Sequence, residues 1–314
     1  MLGYVIKRIA YTVPITFAVS IVCFLLVQLA PGDPLSLVLP TDATQDIIDA
    51  TKARYGLDQS VPVQYFYWLA NALTGDLGTS IASGRPVLSE IATAITYSLS
   101  LALLASTIAF VVGVMLGVVA GYTIGTPIDK LVSAFAISGV SIPHYWLGIV
   151  LVVLFSVHLN LLPAMGAGPG GDMNITDRLQ FMVLPALTLA AMPAAIVTRS
   201  VRALVADTLA KEFVTALAAK GLTGRQIFLH VLKNAAPTAL AVIGVQLGYL
   251  MAGSILVETV FSWPGTGLLL NSAILQRDIP LLQGTILVLA LFFVGLNLLV
   301  DILQPLLDPR ISRK

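Results

Sequence analysis

Charge is what this chain has least of. Asp, Glu, Lys and Arg make up 11% of its 314 residues, against about 25% in an ordinary soluble domain. Hydrophobic residues supply 57%, and the mean hydropathy is +0.93. That balance excludes a soluble globule and describes a polytopic membrane protein. Cysteine is almost missing: Cys23 stands alone, so no intramolecular disulfide is possible. Histidine is scarce too, with His144, His158 and His230 only. His144 and His158 lie about 21 Å apart along a straight helix, too far to share one metal. The chain has no G-x4-G-K-[ST], so it does not bind ATP by that motif, and it has no H-E-x-x-H or G-x-S-x-G. The predicted spans are nearly free of ionisable residues, with Glu258 and Asp301 at their ends. An ion-driven carrier usually keeps such groups deep in the membrane. A net charge of +1 offers no footprint for nucleic acid. We therefore expect no catalytic residues, no metal site and no cofactor in this chain.

What the chain does have is long apolar runs. A helix needs about 20 apolar residues to cross a bilayer core. Six stretches qualify: Ile9–Leu29, Tyr97–Tyr122, Leu131–His158 (interrupted by Pro143), Leu179–Thr198, Pro237–Val257 and Ile279–Val300. The first is too long for a signal peptide and lacks a cleavage pattern, so it reads as a retained span. The fold class is all-α, with six transmembrane helices. With both ends cytoplasmic, the inner segments hold twelve of the 17 basic residues. The outer ones hold five: Lys52, Arg54, Arg85, Arg178 and Arg277. That is the asymmetry of an inner-membrane protein. The organisation follows: 1–30 carries the first span, 31–95 is an external loop, 96–305 is a five-helix core and 306–314 is a cytoplasmic tail.

Two helical spacings in the external loop, Thr44–Arg54 and Val63–Leu73, predict short helices on the outer face. Tyr65, Tyr67 and Trp68 suit either the headgroup level or the packing of a loop cap. Gly113, Gly117 and Gly121 fall on one helix face, and Gly244 and Gly248 repeat the spacing. Small residues at this interval let helix backbones approach, either within the chain or against a partner subunit.

Charge gathers in one place, residues 199–237, with Arg199, Arg202, Lys211, Lys220, Arg225 and Lys233 against Asp207 and Glu212. Within it, Glu212–Lys220 has helical spacing, and Gly221 suits a left-handed C-terminal cap. Thr223 is placed to N-cap a second run, Gly224–Leu232, that carries Ile227, Phe228 and Val231. On these features alone the segment is either a docking element or a plain basic loop.

The stretch Thr215-Ala216-Leu217-Ala218-Ala219-Lys220-Gly221-Leu222 resembles the "EAA" loop of ATP-binding-cassette importer permeases. Nearly the whole chain is similar to the first of the two permeases of dipeptide, oligopeptide and nickel importers. The matching pieces include Leu29-Ala30-Pro31-Gly32-Asp33-Pro34, Gly75-Asp76-Leu77-Gly78 with Ser80, Arg85-Pro86-Val87 and Ser141-Ile142-Pro143. Glu258, Trp263-Pro264-Gly265 and Arg277-Asp278 follow in order. The pattern's glutamate falls at Thr215 and its second alanine at Leu217, so that glutamate's contact is not carried over.

The resemblance implies a type I importer permease fold in the bacterial cytoplasmic (inner) membrane. It implies a translocation pathway for a peptide or peptide-like solute, with a nickel or metal-chelate cargo as the alternative. The implied partners are a second homologous permease, two ATPase subunits holding ATP and Mg, an external solute-binding protein and the lipid bilayer. The implied ATPase-coupling residues are Thr215, Ala216, Ala218, Ala219, Lys220, Gly221, Leu222, Thr223 and Arg225. Glu258, Trp263, Pro264 and Gly265 are candidates for binding-protein docking.

Overall fold

A computed structural model describes residues 2–28, 44–46, 49, 58–168 and 175–307. Among them the only β-pairing is an isolated bridge, Thr79 to Pro86. The helices are α1 (Leu2–Gln28), α2 (Val61–Leu73), α3 (Val87–Tyr122), α4 (Pro127–Ser141) and α5 (His144–Leu151), which continues as π-helix over Val152–His158. They go on as α6 (Ile175–Leu209), α7 (Glu212–Ala219), α8 (Gly224–Val260), α9 (Thr266–Leu275) and α10 (Ile279–Leu307). Most of the predicted helix Thr44–Arg54 lies outside the described residues.

Four helices are long and apolar enough to cross a membrane: α3, α6, α8 and α10. A fifth span is formed if α4 and α5 count as one. The predicted span Leu131–His158 is thus not one straight helix: α4 and α5 cover it and meet at an angle of 104°. The bend falls at Ile142, which is extended at φ −84°, ψ 123°, the conformation that a following proline favours. Pro143 then opens α5 without needing the hydrogen bond it cannot donate. In α1, an apolar stretch of Ala10–Leu25 lies within a 27-residue helix.

The chain divides into two compact units. The first comprises residues 1–5, 99–263 and 296–314. It is built on α6, whose apolar window is 67% buried. The glycines of α3 pack against it in register. A β-carbon on Gly113 would lie 2.9 Å from the Ala194 carbonyl oxygen and from Val197. One on Gly117 would lie 2.7 Å from Val201, and one on Gly121 would lie 2.7 Å from Val205. Real β-carbons do not come that close, so the seam requires glycine and is packed within this chain. Val197, Val201 and Val205 of α6 join Val231 and Ala235 of α8 in a buried cluster. Phe110, Val114 and Val118 of α3 border it. The bent pair leans on the same helix, with Gly139 against Ala195 and Gly148 against Thr188 and the Phe261 ring.

The second unit comprises residues 6–98 and 264–295. Its α1 and α2 meet through aromatic rings, with Phe24 5.4 Å from Tyr65 and 5.7 Å from Trp68. Tyr65 is buried and its hydroxyl shares a 2.8 Å hydrogen bond with Ser20. It therefore packs a cap, while Tyr67 remains exposed. Leu77, Val87, Ile91, Ala273, Leu281 and Leu287 form this unit's buried cluster.

Candidate functional site

The charged segment 199–237 is far more helical than a loop. Arg199 and Arg202 belong to α6, and Arg225 and Lys233 belong to α8. Only 210–211 and 220–223 lie outside helices. The run beginning at Gly224 does not stop at Leu232. It continues through Pro237 to Val260, so the predicted second short helix and fifth span are one element.

Between these two long helices stands α7, an eight-residue rod of about 12 Å. Both of its junctions are built by local chemistry. At its C-terminal end Gly221 takes φ 80°. The Leu222 amide donates to the Leu217 carbonyl at 3.2 Å, and the Gly221 amide donates to Ala218 at 2.9 Å. This is the paired pattern of a left-handed helix cap. Two residues on, Thr223 opens α8 with a capping box. Its amide donates to Gln226 Oε1 at 2.8 Å, and its Oγ1 accepts from the Gln226 amide at 3.4 Å. The helix–turn–helix geometry is thus set by Gly221 and Thr223 within four residues of sequence.

Thr215, Ala216, Ala218, Ala219, Lys220, Gly221, Thr223 and Arg225 are all exposed, and Leu222 is half-buried. They form one open face of small side chains with two cations. The opposite side is anchored, because Val214 packs on the valine cluster of α6 and α8, with Ile227 beside it. A force on the open face therefore reaches the core of the first unit through direct contact.

Two further contacts brace this end, and sequence reasoning missed both. The Tyr122 ring at the end of α3 lies 5.5 Å from Phe228 at the start of α8. Asp129, in the first turn of α4, is buried and accepts from Arg202 Nε at 2.5 Å and Nη2 at 2.8 Å. The Gly125 amide donates to the same carboxylate at 3.0 Å. Such a two-pronged pair fixes orientation as well as distance. The sequence signals the start of α4 through Thr126 and Pro127, and Thr126 does accept from the Asp129 amide. Nothing local signals a partner 73 residues away.

The outer candidates fare differently. Glu258 and Trp263 are 0% and 1% exposed, Gly265 is buried and Pro264 is half-buried. They shape a turn in which the Trp263 amide donates to the Glu258 carbonyl at 2.8 Å. The Glu258 and Trp263 side chains are therefore turned inward, and of the four candidates only Pro264 keeps part of its surface open. Among the described residues no group of three His, Cys, Asp or Glu is arranged to hold a metal.

Two pieces that looked separate in sequence come together in the second unit. Ser80 donates from its hydroxyl to Asp278 Oδ2 at 2.5 Å, and the Ala82 amide donates to the same oxygen at 3.0 Å. The Leu281 amide donates to Oδ1 at 3.1 Å, so Asp278 also caps α10.

The chain is similar to known proteins. Residues 113–313 match the family described as "Binding-protein-dependent transport system inner membrane component", and residues 1–102 match its N-terminal companion. The chain is 38% identical, over its whole length and theirs, to the glutathione transport system permease proteins GsiC of Escherichia coli K12 and Shigella dysenteriae. In fold it is similar to a chain of the inward-facing MetNI methionine ABC transporter, with a TM-score of 0.57 at 17% identity. That match covers 69% of this chain and 96% of the other. A chain of an amino acid ABC transporter matches with a TM-score of 0.52 at 16% identity, over 71% and 94%. By these matches the chain belongs to the inner-membrane permease subunits of binding-protein-dependent ABC importers.

Proposed function

We propose that this permease forms half of the pathway of an ATP-driven importer for a peptide or peptide-like solute, with glutathione the first cargo to try. The observation that carries the mechanism is α7: its outer face is open over the residues that resemble the coupling loop, and Val214 ties its inner face to the valine cluster. In this reading α7 sits in a groove of an ATPase subunit. Closure of the ATPase pair displaces α7, and the caps at Gly221 and Thr223 pass that displacement to α6 and α8 as rotation. Coupling of this kind needs an element whose contacts differ between two states.

The assembly is this chain, a second homologous permease, two ATPases that bind ATP and Mg, and an external solute-binding protein. The spans are α1, α3, the bent α4–α5 pair, α6, α8 and α10, with both termini in the cytoplasm of a bacterium. No cofactor belongs to the chain itself. The 38% identity to glutathione permeases supports the cargo class.

Reconstitution tests the reading. The four membrane and ATPase subunits are placed in proteoliposomes with binding protein and labelled glutathione or dipeptide outside. Uptake is expected only with ATP on the ATPase side. Uptake that persists without ATP under an ion gradient would identify a secondary carrier instead.

A further inference from the structure

The helix α4 is held along one face. Leu131, Phe135 and Ile137 are exposed, while Asp129, Val132 and Ala136 are buried at helical spacing. The buried face lies on α6, its main neighbour. Most of that seam is small. A β-carbon on Gly139 would meet Ala195 at 2.9 Å and the Ala191 carbonyl oxygen at 3.3 Å. Glycine against alanine lets two backbones approach, but it offers no large side chain to stop one helix sliding on the other.

Asp129 supplies the stop. Its carboxylate accepts from Arg202 Nε at 2.5 Å, Arg202 Nη2 at 2.8 Å, the Gly125 amide at 3.0 Å and the Ser133 hydroxyl at 3.4 Å. Gly125 and Ser133 hold the acid within its own turn, whereas Arg202 reaches it from another helix. Such a pair suits the setting of register better than the addition of stability, because desolvation of two charges offsets much of their attraction. The turn of α6 that carries Arg202 also carries Val201 and Val205, part of the cluster on which Val214 of α7 packs. At the far end of the bent pair, Gly148 of α5 lies against the Phe261 ring, where α8 ends. The pair α4–α5 therefore reaches from Arg202 on α6 to the last residue of α8.

We propose that Asp129 and Arg202 are positioning residues for transport: their fork locks α4 to α6, so that a displacement of α7 carries the bent α4–α5 pair with it. The inference rests on the importer reading above. Without the fork the small-residue seam still packs, but α4 slips on α6 and the motion of α7 stops short of the pair. ATP is then hydrolysed with little solute moved.

The test uses the assembled four-subunit complex in proteoliposomes, with its cognate binding protein and labelled glutathione or dipeptide, and reads solute taken up per ATP hydrolysed. Asp129→Asn keeps an acceptor for the Gly125 amide and removes the charge. Arg202 keeps 33% of its side chain exposed, so this change strands no buried cation. Arg202→Gln removes the fork from the other side. At matched amounts of assembled complex, each should lower the ratio at least about fivefold while ATP hydrolysis is retained. The two changes together should cost no more than either alone, as expected of groups that act as one unit. Arg202→Lys keeps the charge without the planar fork and should recover part of the ratio. Unchanged ratios in both single variants overturn the proposal. So do losses that add, and so does uptake that falls only in step with ATP hydrolysis, which is how a plain structural brace behaves. If the unaltered complex shows no ATP-driven uptake, the importer reading falls and takes this proposal with it.

Discussion

Gly221 shows how little of a coupling device needs to be large. A β-carbon there would meet nothing within 4 Å, so space does not demand glycine. The demand is the backbone, at φ 80°. A β-carbon in that region costs about 1–2 kcal/mol, and branching adds to it. We predict that Gly221→Asn, Gly221→Ala and Gly221→Val leave the complex assembled but lower ATP-driven uptake in that order, with valine worst. Normal uptake by the valine variant would show that the cap does not transmit motion. Gly221 and Thr223 were legible in sequence because caps are local chemistry, written within a few residues. Asp129 was not, because its meaning is a partner two helices later. The burial of Glu258 and Trp263 was equally invisible, since an acid and a tryptophan beside a Pro-Gly pair read as a surface turn.

Among the elements, the α3–α6 seam is the most exacting. Gly117 leaves its would-be β-carbon 2.7 Å from Val201 and 2.8 Å from the Thr198 carbonyl oxygen. A methyl group there forces the helices apart, and overpacking of this kind costs about 1–3 kcal/mol. Gly117→Ala should lower the thermal midpoint of the purified complex, and Val201→Ala in the same chain should restore part of the loss. Two additive losses would mean that the helices do not meet at this point. The glycine spacing announced a close approach but left the neighbour open, because periodicity identifies a face and not what lies across it. The bend between α4 and α5 was half legible for a similar reason. Pro143 marks a break, but hydropathy has no direction. Both arms of the bend pack closely on α6, Gly139 against Ala195 and Gly148 against Thr188, and neither contact is written in the hydropathy.

For the whole molecule, composition alone established an all-helical membrane protein, and the basic residues proposed its orientation. Helix length is the weaker guide: α6 and α8 run on past their apolar windows and absorb most of the charged segment. Orientation is open to direct measurement. Lys130 and Ala82 are exposed, whereas Cys23 is buried and should give little background. In intact cells an impermeant maleimide should label Ala82→Cys at once and Lys130→Cys only after permeabilisation; the reverse would invert the chain. The clasp between Ser80 and Asp278 also has a consequence in time. Its ends are 198 residues apart, and a ribosome adding about 5–20 residues per second takes about 10–40 s to travel that far. Through that interval the outer loop has been made but lacks the carboxylate that holds it. A nascent permease must therefore expose an unfastened loop until its last span begins to emerge, and that window is when proteases and folding helpers can tell an unfinished chain from a finished one.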